Sequence, residues 1–92
     1  MELEINNAIK AQLSTLPKAE RARTERVLKR VAENPNLPAS IKSRLTSDPN
    51  LWQVRISPTL RALVRIANGR VTVLAVARHD QLKRYLPGKS AA

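Results

Sequence analysis

Leu3 and Ile5 alternate with Glu2 and Glu4 across residues 1–5, and a period of two predicts a short opening strand. The period then lengthens. Ile9, Leu13 and Leu16 recur at i, i+4 and i+7, which predicts a helix with one apolar face, and Asn6 or Asn7 is placed to cap it. Pro17 interrupts that helix, and residues 18–33 read as a second one with an apolar stripe at Ala19, Val27, Leu28 and Val31. Glu25 and Lys29 stand at the favourable i, i+4 spacing. Asn34-Pro35-Asn36-Leu37-Pro38 stops it, because proline lacks the amide donor and disfavours helical geometry in the residue before it. Two helices joined at one proline predict an antiparallel hairpin. Residues 39–45 read as a helical turn or an irregular loop carrying Lys42 and Arg44, and Ser47-Asp48-Pro49-Asn50 is turn chemistry.

Alternation returns in the last third. Trp52, Val54 and Ile56 alternate with Gln53 and Arg55 over residues 51–56, and Ser57-Pro58-Thr59 breaks the run. Residues 60–67 and 70–77 alternate again around Asn68-Gly69, the dipeptide favoured in a two-residue type I′ hairpin. Pairing outward from that turn sets Ala67 opposite Arg70, Val64 opposite Val73 and Leu60 opposite Ala77. One face then carries Leu60, Ala62, Val64, Ile66, Val71, Val73, Ala75 and Ala77. The other carries Arg61, Leu63, Arg65, Thr72, Leu74, Val76 and Arg78. The expected fold class is α+β: a short N-terminal strand, a two-helix hairpin, and a three-stranded antiparallel meander with helices on one face and the other open. Residues 80–86 read as a helical turn, and Pro87-Gly88-Lys89-Ser90-Ala91-Ala92 as a flexible tail, giving one domain over 1–86 and a tail over 87–92.

Composition narrows the function classes. The 92 residues suffice for one core, and 42% hydrophobic content makes a wholly disordered basic tail a poor description. Seventeen Lys and Arg stand against seven Asp and Glu, a net charge of +10. Residues 1–33 contribute +2 and residues 34–92 contribute +8, the latter with only Asp48 and Asp80 as acids. Such an excess favours a polyanion, whose condensed counterions are released on binding, or an acidic protein. Trp52 and Tyr85 are the only aromatic side chains, too few for a base-stacking platform. The absence of cysteine removes disulfides, zinc fingers and thiol nucleophiles, and no apolar run reaches the length of a membrane span. With Glu2 and Glu4 in place of a basic signal-peptide start, a cytoplasmic protein with no membrane partner is expected.

The candidate chemistry follows from alternation. Arg55, Arg61 and Arg65 share the polar side of their strands and Arg78 ends the last one, so guanidinium groups converge if the Trp52 strand lies beside residues 60–67. Guanidinium stays charged and grips phosphate in a bidentate fork. His79 is the chain's single imidazole and can move a proton to or from a ribose oxygen, a role Tyr85 could share. One histidine with two carboxylates is no convincing metal-ligand set, no serine stands in a nucleophile-elbow context, and Gly69 and Gly88 cannot form a phosphate-cradling loop.

The element order, together with Ala32-Glu33-Asn34-Pro35, Leu51-Trp52-Gln53-Val54-Arg55-Ile56, residues 60–66 and residues 71–79, resembles the RelE/ParE superfamily of bacterial type II toxin–antitoxin toxins over about residues 1–86. The resemblance implies the RelE-like fold, no cofactor, and an acidic antitoxin as partner. The RelE branch implies an endoribonuclease (mRNA interferase) that cuts mRNA at the ribosomal A site without a metal. The ParE branch implies a DNA gyrase inhibitor instead, and a non-catalytic binding protein of the same fold is the third possibility. On the RelE pattern the matching positions are Arg55, Arg61, Arg78 with His79, and Tyr85; Arg61, Arg78, His79 and Tyr85 are the expected catalytic set, and Arg55 with the basic Lys42, Arg44 and Arg65 the expected RNA-binding set. Arg78 precedes His79 where the family often has His followed by Arg, and Gln53 stands where some members carry lysine.

Overall fold

The computed structural model describes residues 1–34, 36–38, 41–44 and 47–85, without the side chains of Lys83 and Tyr85. The expected tail over 87–92 and the end of the expected domain at residue 86 lie outside the described residues.

Strand β1 (Glu2–Glu4) leads into helix α1 (Asn7–Ser14). Asn6 caps α1, its side-chain oxygen accepting the Ile9 amide at 2.9 Å. Pro17 sits at the cap of α2 (Lys18–Glu33), whose bounds coincide with those predicted. Helix α2 turns Thr24, Leu28, Val31 and Ala32 inward, while Ala19, expected on the stripe, is exposed. Thr24 is tolerated inside because its hydroxyl donates to the Glu20 carbonyl at 2.8 Å. Leu3, Ile5 and Leu16 pack at the margin of the same core.

The sheet has five strands in the order β1-β5-β4-β3-β2. Strands β3 (Leu51–Arg55), β4 (Leu60–Ala67) and β5 (Arg70–Arg78) form the expected antiparallel meander. Strand β1 is parallel to β5, and β2 (Lys42–Arg44) is antiparallel to β3. Sequence reading placed a helical turn or loop at β2; three residues with one half-buried position are too short for a readable period, and pairing with β3 makes the strand. Asn68 and Gly69 adopt φ values of 55° and 72°, the left-handed pair that a type I′ turn requires.

The predicted register holds only to Val64↔Val73. Leu63 then pairs with Ala75 and Leu60 with Arg78, so Leu74 is an extra residue bulged out of β5. Beyond the bulge every β5 side chain changes face. Val76 replaces Ala75 and Ala77 against the helices, joining Leu60, Ala62, Val64, Val71 and Val73 in the main core with Ile9, Leu13, Leu28 and Val31. The larger side chain thus fills the helix-facing layer. Ala75 turns to the opposite face, where it meets Leu63 and Leu82, with Leu74 and Ala77 at the edge. That face is therefore not fully open. A 3-10 turn at Leu82–Tyr85, within the predicted helical turn, covers part of it, and Leu82 is completely buried.

Candidate nucleic-acid interface

The bulge decides how the candidate residues are distributed. Cross-strand partners share a face. Arg55 pairs with Arg61 on the face away from the helices, whereas Arg78 pairs with Leu60 and so looks toward α2. The expected convergence of Arg78 with Arg61 on one surface does not occur.

Arg78 instead makes a two-pronged ion pair with Glu20 of α2. Its Nη1 donates to Glu20 Oε2 at 2.8 Å and its Nη2 to Oε1 at 3.1 Å. These bonds raise the Arg78 pKa above the ordinary arginine value and hold the Glu20 carboxyl below the usual carboxylate range. Arg78 Nη1 also lies 3.4 Å from Thr59 Oγ1.

The loop between β3 and β4 gathers the remaining parts. Ser57 Oγ accepts the Leu60 amide at 3.1 Å, tightening the turn around Pro58. Arg61 Nη1 donates to the carbonyls of Ser57 and Leu60, fixing the guanidinium beside its own strand end. Burial, and secondarily the Arg55 charge opposite, lower the Arg61 pKa. The His79 amide donates to the Thr59 carbonyl at 2.8 Å, so the loop also holds the exposed imidazole residue at this end of the sheet. Arg55, Arg61 and His79 are thus brought to one end of β3, β4 and β5.

The other predicted residues fall elsewhere. Arg65 lies two pleats along β4 from Arg61, near Asp48 at 3.8 Å. Lys42 and Arg44 sit over the Trp52 ring, Nζ at 4.0 Å and the guanidinium carbon at 5.2 Å from its centroid. Trp52 packs on the main core, so this is a cation–π stack on an edge strand, apart from the Arg55–Arg61 pair. Burial lowers the Lys42 pKa. The Tyr85 side chain lies outside the described residues.

Sequence reading missed a cleft of about 370 Å³ beside this loop, lined by Arg23, Val27 and Arg30 of α2 with Ile41, Arg55, Ile56, Ser57 and Pro58. The signal was the i, i+7 spacing of Arg23 and Arg30, which puts them on one side of a helix two turns apart.

With this geometry in place, comparison with solved structures is decisive for the fold. The toxin–antitoxin complex RelBE2 from Mycobacterium tuberculosis matches with a TM-score of 0.67 at 18% identity, covering 85% of this chain and 96% of that one. The YoeB/ParE toxin from Agrobacterium tumefaciens matches at 0.70 and 15% identity, covering 86% and 99%. The isolated E. coli RelE toxin matches at 0.68 and 19% identity, covering 92% and 98%. The fold is that of the RelE-type toxins. No protein-family model matches the chain, and no curated protein matches it in sequence. The two helices and the five-stranded mixed sheet match that fold. No helix among the described residues is long and apolar enough to cross a membrane.

Proposed function

We propose that this protein is the toxin of a toxin–antitoxin system and acts as a metal-independent endoribonuclease on mRNA, at the ribosomal A site. The observation that carries the reading is the Arg55–Arg61 pair on a RelE-like fold, with Arg61 pinned by two backbone carbonyls and His79 attached to the same loop. Two like charges opposite each other cost stability. A phosphodiester placed between them removes that cost. Arg61 holds the scissile phosphate and stabilises the charge developing on it, Arg55 holds a flanking phosphate, and the substrate's own 2′-hydroxyl is the nucleophile. His79 or Tyr85 moves the proton. Arg78, engaged by Glu20, contributes once that pair opens to a phosphate.

An acidic antitoxin is the partner that this surface fits, since carboxylates laid over Arg55 and Arg61 neutralise the same charges and block the site. The fold neighbours include a toxin–antitoxin complex, which supports that partner. Action on translating mRNA places the protein in the cytoplasm. Induced expression followed by mapping of mRNA 5′ ends tests the reading: cuts inside translated codons support it. Intact mRNA under growth arrest overturns it, and double-strand DNA breaks in the same cells would assign the fold to gyrase inhibition.

A further inference from the structure

The cleft between α2 and the β3–β4 loop has a lining suited to one class of ligand. Arg23 and Arg30 rise from α2, separated by two helical turns, or roughly 10.5 Å along the axis at 1.5 Å per residue. Val27 lies between them and is half-buried, forming with Ile41 and Ile56 an apolar floor. Arg55, Ser57 and Pro58 form the opposite wall. Among the described residues that line the cleft none is acidic.

Three arginines elsewhere in the chain are matched by carboxylates, and those of the cleft are not. Arg65 is near Asp48, Arg70 bridges Glu2 and Glu4, and Arg78 is held by Glu20. Among the described residues no carboxylate lies within 4.0 Å of the guanidinium groups of Arg23, Arg30 or Arg55. Arg23 and Arg30 on the helix side and Arg55 at the strand end border one cleft, and with no carboxylate partner among the described residues they leave the compensation to an external anion.

Arg55 connects the cleft to the proposed reaction surface. It lines the cleft and also faces Arg61 across the sheet, close enough to lower the Arg61 pKa. Ser57, on the cleft wall, accepts a hydrogen bond from Arg61. Arg55 thus borders both, and a polyanion crossing the Arg55–Arg61 pair at the end of β3 passes beside the cleft. The described lining has no aromatic ring on which a base could stack and no amide side chain to read a base edge.

We propose that Arg23 and Arg30, with Arg55, form a second phosphate-binding site that holds the RNA backbone on one side of the cleaved bond without reading its sequence. This rests on the reading of the protein as an RNA-binding toxin. The site extends the footprint by about two phosphates and sets the path of the strand around the β3–β4 loop.

The test measures binding of the full chain to a short 2′-O-methylated oligouridylate, which presents the phosphates and cannot be cleaved through its own 2′-hydroxyl. Fluorescence anisotropy over a salt series gives the affinity and its salt slope. Arg23→Gln/Arg30→Gln should reduce the slope of log K against log salt by about 1.4, at about 0.7 per phosphate contact on a single strand. Arg23→Lys/Arg30→Lys should restore most of it. Lys10→Gln/Lys18→Gln, which removes two exposed charges elsewhere, should leave the slope within about 0.3 of the parent. Both arginines are exposed on a helix in which glutamine is well tolerated, so circular dichroism should be unchanged.

An unchanged slope in the Arg23→Gln/Arg30→Gln protein, with RNA bound by the parent, overturns the second site while leaving the ribonuclease reading intact. Absence of RNA binding by the parent overturns both. If the double variant keeps its RNA affinity but loses affinity for polyglutamate, the cleft belongs to an acidic protein partner and the proposal falls. Cleavage of unmodified mRNA is a separate readout, so a protein that binds through the cleft but cuts nothing would count against the ribonuclease reading alone.

Discussion

The guanidinium of Arg78 grips Glu20 with both of its terminal nitrogens, at 2.8 and 3.1 Å, tying the end of β5 to the first turn of α2. Glu20 also lies where a helix N-terminus favours negative charge. The carboxylate occupies the fork with which arginine would hold a phosphate, so on the proposed function this pair must open before Arg78 can hold one.

Because Glu20 has a depressed pKa in the folded chain, its stabilising contribution is present above the usual carboxylate range and is lost as the pH falls through the folded value. Arg78, raised, loses its contribution only at strongly alkaline pH. The melting temperature of Glu20→Gln should therefore lie below that of the parent at neutral pH, with the gap closing below about pH 4. Thermal melts of both proteins across that range check this. A gap that persists unchanged to about pH 3 would show that the ion pair is not its source.

Arg55→Gln relieves a like-charge cross-strand pair and should stabilise the fold by about 0.2–1 kcal/mol, while weakening RNA binding. Urea unfolding alongside anisotropy binding measures the two effects separately. A variant that is less stable than the parent contradicts the repulsion inferred between Arg55 and Arg61.

Arg61→Ala removes the group assigned to transition-state charge and should lower the cleavage rate by about 10²–10³-fold. Arg61→Lys keeps the charge but cannot reproduce the fork, and should recover only part of the activity. Primer-extension rates on a defined mRNA supply the comparison. Growth arrest that survives Arg61→Ala undiminished points away from ribonuclease action.

His79 is exposed, and only its main-chain amide is tied to the β3–β4 loop, so His79→Gln should leave stability unchanged. If the imidazole moves the proton, cleavage falls by about 10²-fold or more. A loss below about threefold transfers that role to Tyr85, which Tyr85→Phe then tests.

Leu82→Ala empties a fully buried position in the small second core and should cost about 2–5 kcal/mol. The loss should be felt at the C-terminal turn, since Leu82 joins it to Leu63 and Ala75. Hydrogen exchange of the Gln81 and Arg84 amides, which donate to Arg78 and Gln81 carbonyls, would accelerate more than exchange in α1. Uniform acceleration would mean that the second core is not a separate unit.

Much of the fold was legible because the periods were clean. Helix α2 and strand β4 have the predicted bounds, and Asn68-Gly69 makes the expected turn. Strand β2 was not legible, because three residues at the sheet edge owe their conformation to hydrogen bonds with β3. The Arg23–Arg30–Arg55 cleft was hidden for a similar reason: helix spacing aligned two arginines, but only packing of α2 beside the β3–β4 loop brought the third to them.

By itself the chain determined its class, its six readable α and β segments, the cationic excess after residue 33 and the convergence of Arg55 with Arg61 once β3 and β4 are neighbours. Only the tertiary structure decided which face Arg78 takes. Strand alternation carries no record of a bulge, and Leu74 inserts one where filling the helix-facing core with Val76 outweighs keeping the ladder regular. That one-residue slip turns Arg78 from the Arg61 surface to Glu20, and with it divides a single expected arginine cluster into an Arg55–Arg61 surface and an Arg78–Glu20 latch.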